Sequence, residues 1–225
     1  MNIILIGPPG AGKGTQANNL VKTFNLYKVS TGDLLRKEIG NNSNLGTKIK
    51  SLIEKGLFVS DEIIDDLIVK ILSNTTFYDR LVFDGYPRNL NQAKNLDFLL
   101  KKYKQKISCV LSLEVDKELI IKRILGRQIC SNCGLIFNDY FMPSSKKNHT
   151  CDPKFLSKRT DDNEKTIIKR FETYLKKTLP ILDFYNGQNL LHQINGKIEI
   201  DQIYKDIRNI IASLEAWLCK PYLYK

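Results

Sequence analysis

The chain has 225 residues, enough for about one embellished domain with a substantial core. A hydrophobic fraction of 42% and a charged fraction of 26% are those of a soluble globular protein, and no stretch approaches the ~20 apolar residues of a membrane span. The formal net charge of +11 raises nucleic acid as a partner, but the lysines are scattered. The one short cluster, Lys101 to Lys106, follows a helix pattern and complements a helix dipole. The reading is a basic solvated surface and a site for several phosphates, with no nucleic-acid or membrane partner.

The first element is Asn2 to Ile6, an apolar, β-branched run that reads as a strand buried on both faces. Gly7-Pro8-Pro9-Gly10-Ala11-Gly12-Lys13-Gly14-Thr15 follows, and Ala17, Leu20, Val21 and Phe24 then recur at helical spacing. Strand, glycine-rich loop and helix make the context of a phosphate-binding loop. Glycines let the backbone close around a phosphate, and the helix start offers unpaired N–H groups and a favourable dipole. Lys13 reaches the outer phosphates, and the Thr15 hydroxyl stands near Mg²⁺. Gly14, between Lys13 and Thr15, departs from the strict pattern.

Ser30, Thr31 or Asp33 caps a helix carrying Leu34, Leu35 and Ile39 that ends near Gly40. A second short helix carries Leu45, Ile49, Leu52 and Ile53 and ends at Gly56. Two helices where strand and helix should alternate mark residues 30–59 as an insertion. Ser60 caps an amphipathic helix with Ile63, Ile64, Leu67, Ile68 and Ile71. Arg80 to Asp84 is a buried parallel strand, followed by a helix over Ala93, Leu96, Leu99, Leu100 and Tyr103. Ile107 to Val115 is a strand, and Leu119, Ile120 and Ile124 mark a helix. The alternation implies a parallel sheet with helices on both faces.

Periodicity fails from Gly126 to about Asp162, a second insertion rich in loops. Helix resumes with Ile167, Ile168, Phe171, Tyr174 and Leu175 and halts near Pro180. Leu190 to Ile194 is the last strand, with His192 in its packing pattern. The closing helix carries Ile200, Ile203, Tyr204, Ile207, Ile210, Ile211 and Leu214, and the tail from Trp217 has no clear period. The opening run is too short for a signal h-region and lacks a basic leader, so a cytoplasmic protein is expected. Five cysteines in such a chain argue against a disulfide framework; Cys109 reads as a core residue and Cys219 as a terminal thiol.

Asp84, at the carboxyl end of a strand where α/β ligands bind, suits Mg²⁺ or its waters, though alone it is an ordinary Asp-Gly turn. Arg36, Arg88, Arg123, Arg127, Arg159 and Arg170 punctuate Lys-rich segments, and Arg is suited to bidentate phosphate contact. Gly7 to Gln16, Ser30 to Arg36, Phe83 to Arg88, Gly126-Arg127 and Arg159 to Asp162 together resemble the adenylate kinase family, in order and at family spacing up to about residue 214.

The resemblance implies an α/β fold: a P-loop three-layer sandwich with a central parallel sheet, a helical nucleoside-monophosphate insertion and a loop/β-rich lid. The core is residues 1–29, 60–125 and 163–225, the AMP-binding insertion 30–59 and the lid 126–162. The implied activity is phosphoryl transfer from MgATP to AMP by a monomer, with ATP, AMP and ADP as its partners. Gly10, Ala11, Gly12, Lys13, Gly14 and Thr15 cradle the ATP phosphates, and Arg123 lies against the ATP adenine. Arg127, Arg159 and Arg170 close on the phosphates; Ile136, Phe137 and the Ile198 carbonyl complete the ATP site. Thr31, Arg36, Leu57, Phe58, Val59, Gly85, Tyr86, Pro87, Arg88 and Gln92 form the AMP site, with Arg159 and Arg170 shared. Lys13, Arg36, Asp84, Arg88, Arg123, Arg159 and Arg170 carry the transfer, and Tyr86-Pro87 is a cis bond. Thr31 and Gln92 resemble AMP-specific members.

Cys130, Cys133 and Cys151 resemble the zinc-lid subgroup, but Lys154 stands at the place of its fourth ligand. The run from Cys151 to Arg159 is also shorter than in that subgroup. His149 is the best substitute, a Cys₃His site being ordinary for structural zinc, and Asp152 is the next. A lid without metal, packed by its side chains alone, is the other reading. The rival activities are a GTP:AMP phosphotransferase, another nucleoside monophosphate kinase and, outside enzymes, a nucleotide-gated nucleic-acid-binding protein.

Overall fold

The structure is a computed structural model and describes residues 1–41, 44–54, 59–147 and 149–218. In chain order it runs β1 (Ile3–Ile6), α1 (Lys13–Phe24), β2 (Tyr27–Ser30), α2 (Thr31–Gly40), α3 (Asn44–Glu54), α4 (Asp61–Leu72), β3 (Leu81–Asp84) and α5 (Leu90–Lys102). Then follow β4 (Cys109–Glu114), α6 (Lys117–Leu125), β5 (Arg127–Cys130), β6 (Ile136–Asn138), β7 (Leu156–Ser157), α7 (Glu164–Thr173), α8 (Pro180–Asn186), β8 (Leu191–Asn195) and α9 (Ile200–Leu218).

Five of these strands form one parallel sheet in the order β2-β3-β1-β4-β8. Strand side chains alternate between faces. Ile4 and Ile6 of β1 therefore join Phe83 and Val110 in one apolar cluster, under α4, α5 and α8. Ile3 and Leu5 join Val82 and Leu111 in a second, under α1 and α9. All four β1 residues are buried, which is why the run is apolar throughout rather than alternating. Cys109 sits in that second cluster, its thiol pushed up to about 12 by burial. The three-layer sandwich is the expected one. Among the described residues no helix is long and apolar enough to cross a membrane.

The strand order positions the site. From β1 the chain crosses to β2 through α1 on one face; from β3 it crosses to β4 through α5 on the other. Neighbouring β1 and β3 thus send their helices opposite ways, and the crevice at their carboxyl ends is where such sheets hold ligands. The glycine-rich loop leaves β1 there, and Gly85 to Arg88 leaves β3.

Several expectations needed correction. β2 is an edge strand of Tyr-Lys-Val-Ser composition that the apolar pattern did not mark. Ser60 stands at the start of α4 but makes no side-chain cap bond, whereas Ser30 accepts from the Asp33 amide at 3.3 Å. The lid carries a three-stranded antiparallel sheet, β6-β5-β7, as the loop/β-rich insertion implied by the resemblance requires, though its periodicity alone read as loop. Helix does not halt at Pro180. A π turn, Tyr174–Thr178, joins α7 to α8, closed by the Leu179 amide on the Tyr174 carbonyl at 2.9 Å. Pro180 then occupies the first turn of α8, where its missing N–H breaks no bond. α9 continues to Leu218, past the last periodic residue at Leu214, and Cys219 lies outside the described residues.

Candidate active site

A cavity of about 510 Å³ opens above β1 and β3. Its floor is the glycine-rich loop and the first turn of α1, whose leading amides have no helical carbonyl in front of them. Gly10 has φ +79°, and a Cβ there would lie 2.7 Å from Ile124 Cγ1, so only glycine fits between loop and α6. Gly14 is a close approach of another kind: a Cβ would sit 3.4 Å from Asp84 Oδ2. The extra glycine of the loop therefore faces the carboxylate expected to serve Mg²⁺. Lys13 folds back on its loop, donating to the carbonyls of Gly7 (2.7 Å) and Pro8 (2.9 Å). Burial brings it down to about 8, against the pull of Asp84.

All six expected arginines line this cavity. Arg88, from the turn after β3, donates through Nε to the Gly85 carbonyl at 2.6 Å; burial and the neighbouring Arg170 bring it down to about 10. Arg127 at the start of β5 makes a two-pronged pair with the buried side chain of Asp162, its Nε 2.8 Å from Oδ2. Arg170 on α7 pairs with Asp161, whose carboxyl burial raises and Arg170 draws below its ordinary range. Arg159 lies with Nη2 3.8 Å from Asp33, and its buried Nε has no hydrogen-bond partner among the described residues. Burial, Arg127 and Arg36 together bring Arg159 down to about 10. Arg36 is paired with Asp33, and burial of that carboxyl is outweighed by Arg36 and Lys28, leaving it at about 2. Cations this close to one another, and partly stripped of water, are arranged for a polyanion.

Arg123 of α6 donates to the Gly196 carbonyl at 2.8 Å and lies 5.7 Å from the Phe141 ring centroid. Ile136, Phe137 and Ile198 line the same end. On the other side a recess of about 20 Å³ is lined by Thr31, Leu35, Val59, Ile64, Tyr86, Arg88 and Gln92. That is room for about one water. Thr31 donates to the Gly85 carbonyl at 3.3 Å; Gln92 accepts from the Arg88 amide and donates to Asp61, both at 2.7 Å. The Tyr86–Pro87 peptide is cis. Leu57 and Phe58 lie outside the described residues.

Sequence reasoning passed over Lys28, Asp33 and the pair Asp161–Asp162. The aspartates appeared only inside motifs, as a cap and as spacers. Only Asp33 carried a local signal, three residues before the Arg36 it pairs with; Asp161 and Asp162 pair with Arg170 and Arg127, which the sequence does not place beside them.

Away from the cavity floor, Cys130, Cys133, His149 and Cys151 gather with their ligand atoms all within 4.8 Å of one another. Cys133 Sγ and His149 Nε2 are 3.5 Å apart, close to the edge of about 3.6 Å that Zn–S and Zn–N bonds of ordinary length span at a tetrahedral angle. The donor set is that of a closed structural zinc site, and the residues fit the ion. Asp152 is used otherwise: it caps the short 3₁₀ turn Pro153–Phe155, accepting from the Lys154 amide at 2.8 Å, and pairs with the Lys154 ammonium at 3.2 Å. For Mg²⁺ the fit is the Asp84 carboxylate beside the Gly14 backbone, an oxygen ligand at the phosphate loop.

A sequence model of the adenylate kinase family matches residues 5–190. The chain is 46% identical over 211 residues to the adenylate kinase of Pelagibacter ubique, covering 94% of this chain and 99% of that protein. It is 40% identical over 215 residues to that of Clostridioides difficile, covering 95% and 99%, and 37% identical over 213 residues to that of Thermosipho africanus, covering 94% and 99%. By the span of that model and the near-full-length identity to these relatives, the chain belongs to the adenylate kinase family of phosphotransferases.

Proposed function

We propose that this cavity is where the chain runs the reaction of its family, MgATP + AMP ⇌ 2 ADP, with each residue in a definite role. The observation that carries the reading is the convergence of Lys13 and six arginines from separate segments on one space. The donor's phosphates rest on Gly10 to Thr15, with Lys13 turning from its loop carbonyls to the transferred group. Arg123, Ile136, Phe137 and the Ile198 carbonyl receive the donor base. The acceptor's phosphate is held by Arg36 and Arg88, and its base by Thr31, Val59 and Gln92 with Leu57, Phe58, Gly85, Tyr86 and Pro87. Arg127, Arg159 and Arg170 come from the lid and α7 to surround the transferring group.

An oxygen of the acceptor phosphate attacks directly and in line, so the protein supplies position and charge rather than a covalent intermediate. Asp84, with the Thr15 hydroxyl nearby, would hold Mg²⁺ or its waters, and the ion would supply neutralisation of phosphate charge when the donor is bound. Cys130, Cys133, His149 and Cys151 hold a structural zinc ion that cross-links the lid and takes no part in transfer. The core is 1–29, 60–125 and 163–225, with 30–59 as the AMP insertion and 126–162 as the lid; their closure excludes water. The reading includes a monomer in the cytoplasm. The binding-protein alternative leaves the acceptor side without a use.

The test is ADP production from MgATP with AMP, UMP, CMP and GMP in parallel, repeated with MgGTP as donor. Turnover with AMP and ATP supports the assignment. Preference for UMP or CMP would remove the roles given to Thr31 and Gln92, and preference for GTP would remove the donor.

A further inference from the structure

Lys28 belongs to no motif, yet it lines the cavity. It lies on the edge strand β2, with its side chain 20% exposed. Its Nζ stands 3.6 Å from Asp84 Oδ2 and 3.6 Å from Asp33 Oδ2, and donates to Asn18 Oδ1 at 3.3 Å. A Cβ at Gly14 would lie 3.4 Å from Asp84 Oδ2 and 3.9 Å from Lys28 Nζ. Ammonium and carboxylate therefore meet against the first turn of α1, where the donor's phosphates and their metal are placed.

We propose that Lys28 is a positioning residue: a built-in counter-cation of Asp84 that competes with Mg²⁺ and sets how much of the ion the enzyme needs. The inference rests on the reading of Asp84 as the metal-side carboxylate. A carboxylate already facing one positive charge attracts a second less strongly, because the two cations repel across it. Displacing the ammonium strands no charge, since Asp33 and Asn18 are already within its reach. Lysine suits this use: a point charge on a flexible stem can swing between carboxylates where a guanidinium fork would be fixed. The Asp84 carboxylate thus already faces a cation in the nucleotide-free protein. The metal enters with the donor's phosphates, whose charge makes up the difference.

The test uses the full chain saturated with the imido analogue of ATP, with Mn²⁺ as the probe and its free-ion electron spin resonance signal as the readout. Lys28→Gln is expected to bind Mn²⁺ about tenfold more tightly than wild type, the scale on which one neighbouring charge moves a carboxylate equilibrium. Lys28→Arg, which keeps the charge, is expected to stay near wild type. Lys28→Met, which keeps the stem against α1, serves the same comparison if the Gln variant folds poorly. Structural damage weakens binding and does not tighten it. Unchanged or weaker Mn²⁺ binding in a folded, charge-free variant overturns the proposal. ADP production by the wild type is measured on the same preparation: its absence removes the functional reading, whereas Mn²⁺ affinity judges Lys28 by itself.

Discussion

An ammonium folded onto the carbonyls of Gly7 and Pro8 has lost its water without gaining an anion, and burial brings Lys13 down to about 8 from 10.5. Between those two values the unfolded chain holds the proton and the folded one does not, so this group makes the nucleotide-free protein more stable as pH rises through the window. A bound triphosphate restores the charged form. ATP binding at pH 8.5 is therefore expected to take up a proton, seen by calorimetry in buffers of different ionisation enthalpy, and Lys13→Gln should abolish the uptake. Arg88 is the second residue whose environment fixes a prediction. Arg88→Ala is expected to lower turnover by about a thousandfold or more, the scale of an arginine acting on a transferring phosphoryl group. Its melting temperature should move by only a few degrees; unchanged turnover would sink the role. Both residues were legible because they sit inside motifs. Lys28 was not, since a lysine on a short mixed strand reads as a solvated end, and only the pairing of β2 with β3 places it near Asp84.

The helices begin in two ways that look alike in sequence. Asn163 accepts from the Thr166 amide at 3.0 Å and closes the start of α7, whereas the Ser60 side chain makes no such bond at α4. Asn163→Ala is expected to cost about 1 kcal/mol in urea unfolding, and Ser60→Ala to stay within about 0.5 kcal/mol. The core helices and strands were legible because they are long or apolar on the face they bury, as in α4, where Ile64, Ile68 and Leu72 are buried. The lid strands were not. β5 is four residues long and buried only at Cys130, β7 is two residues, and cysteine, asparagine and glycine between them hide any period of two. Pro180 reads as a stop because proline breaks the i to i−4 ladder; a wider turn before it removes the conflict.

Across the whole molecule, alternation of strand and helix announced a parallel sheet but left its order open, since the order is decided by which helix packs on which face. The lid's Cys/His cluster reaches the cavity wall: His149 Nε2 lies 3.5 Å from Cys133 Sγ, and its ring lies 4.7 Å from that of Phe137, which lines the cavity. Purified protein is expected to carry about one zinc per chain, measured by atomic absorption, and to melt at a lower temperature after chelation. His149→Ala should lose the ion and Asp152→Ala retain it; the reverse would exchange the two assignments. The π turn reaches further. It lies between Arg170, which faces the cavity, and Ile181 and Tyr185, which are buried under the sheet. Winding Tyr174 to Thr178 as plain α-helix with no residue removed would turn one end against the other by about 100°, because a π turn takes up one residue more than an α turn. Either the tyrosine would leave the core or the arginine would leave the phosphates. The extra residue is a phase setting, and it keeps chemistry and packing on the same helical axis without forcing either to face the wrong way.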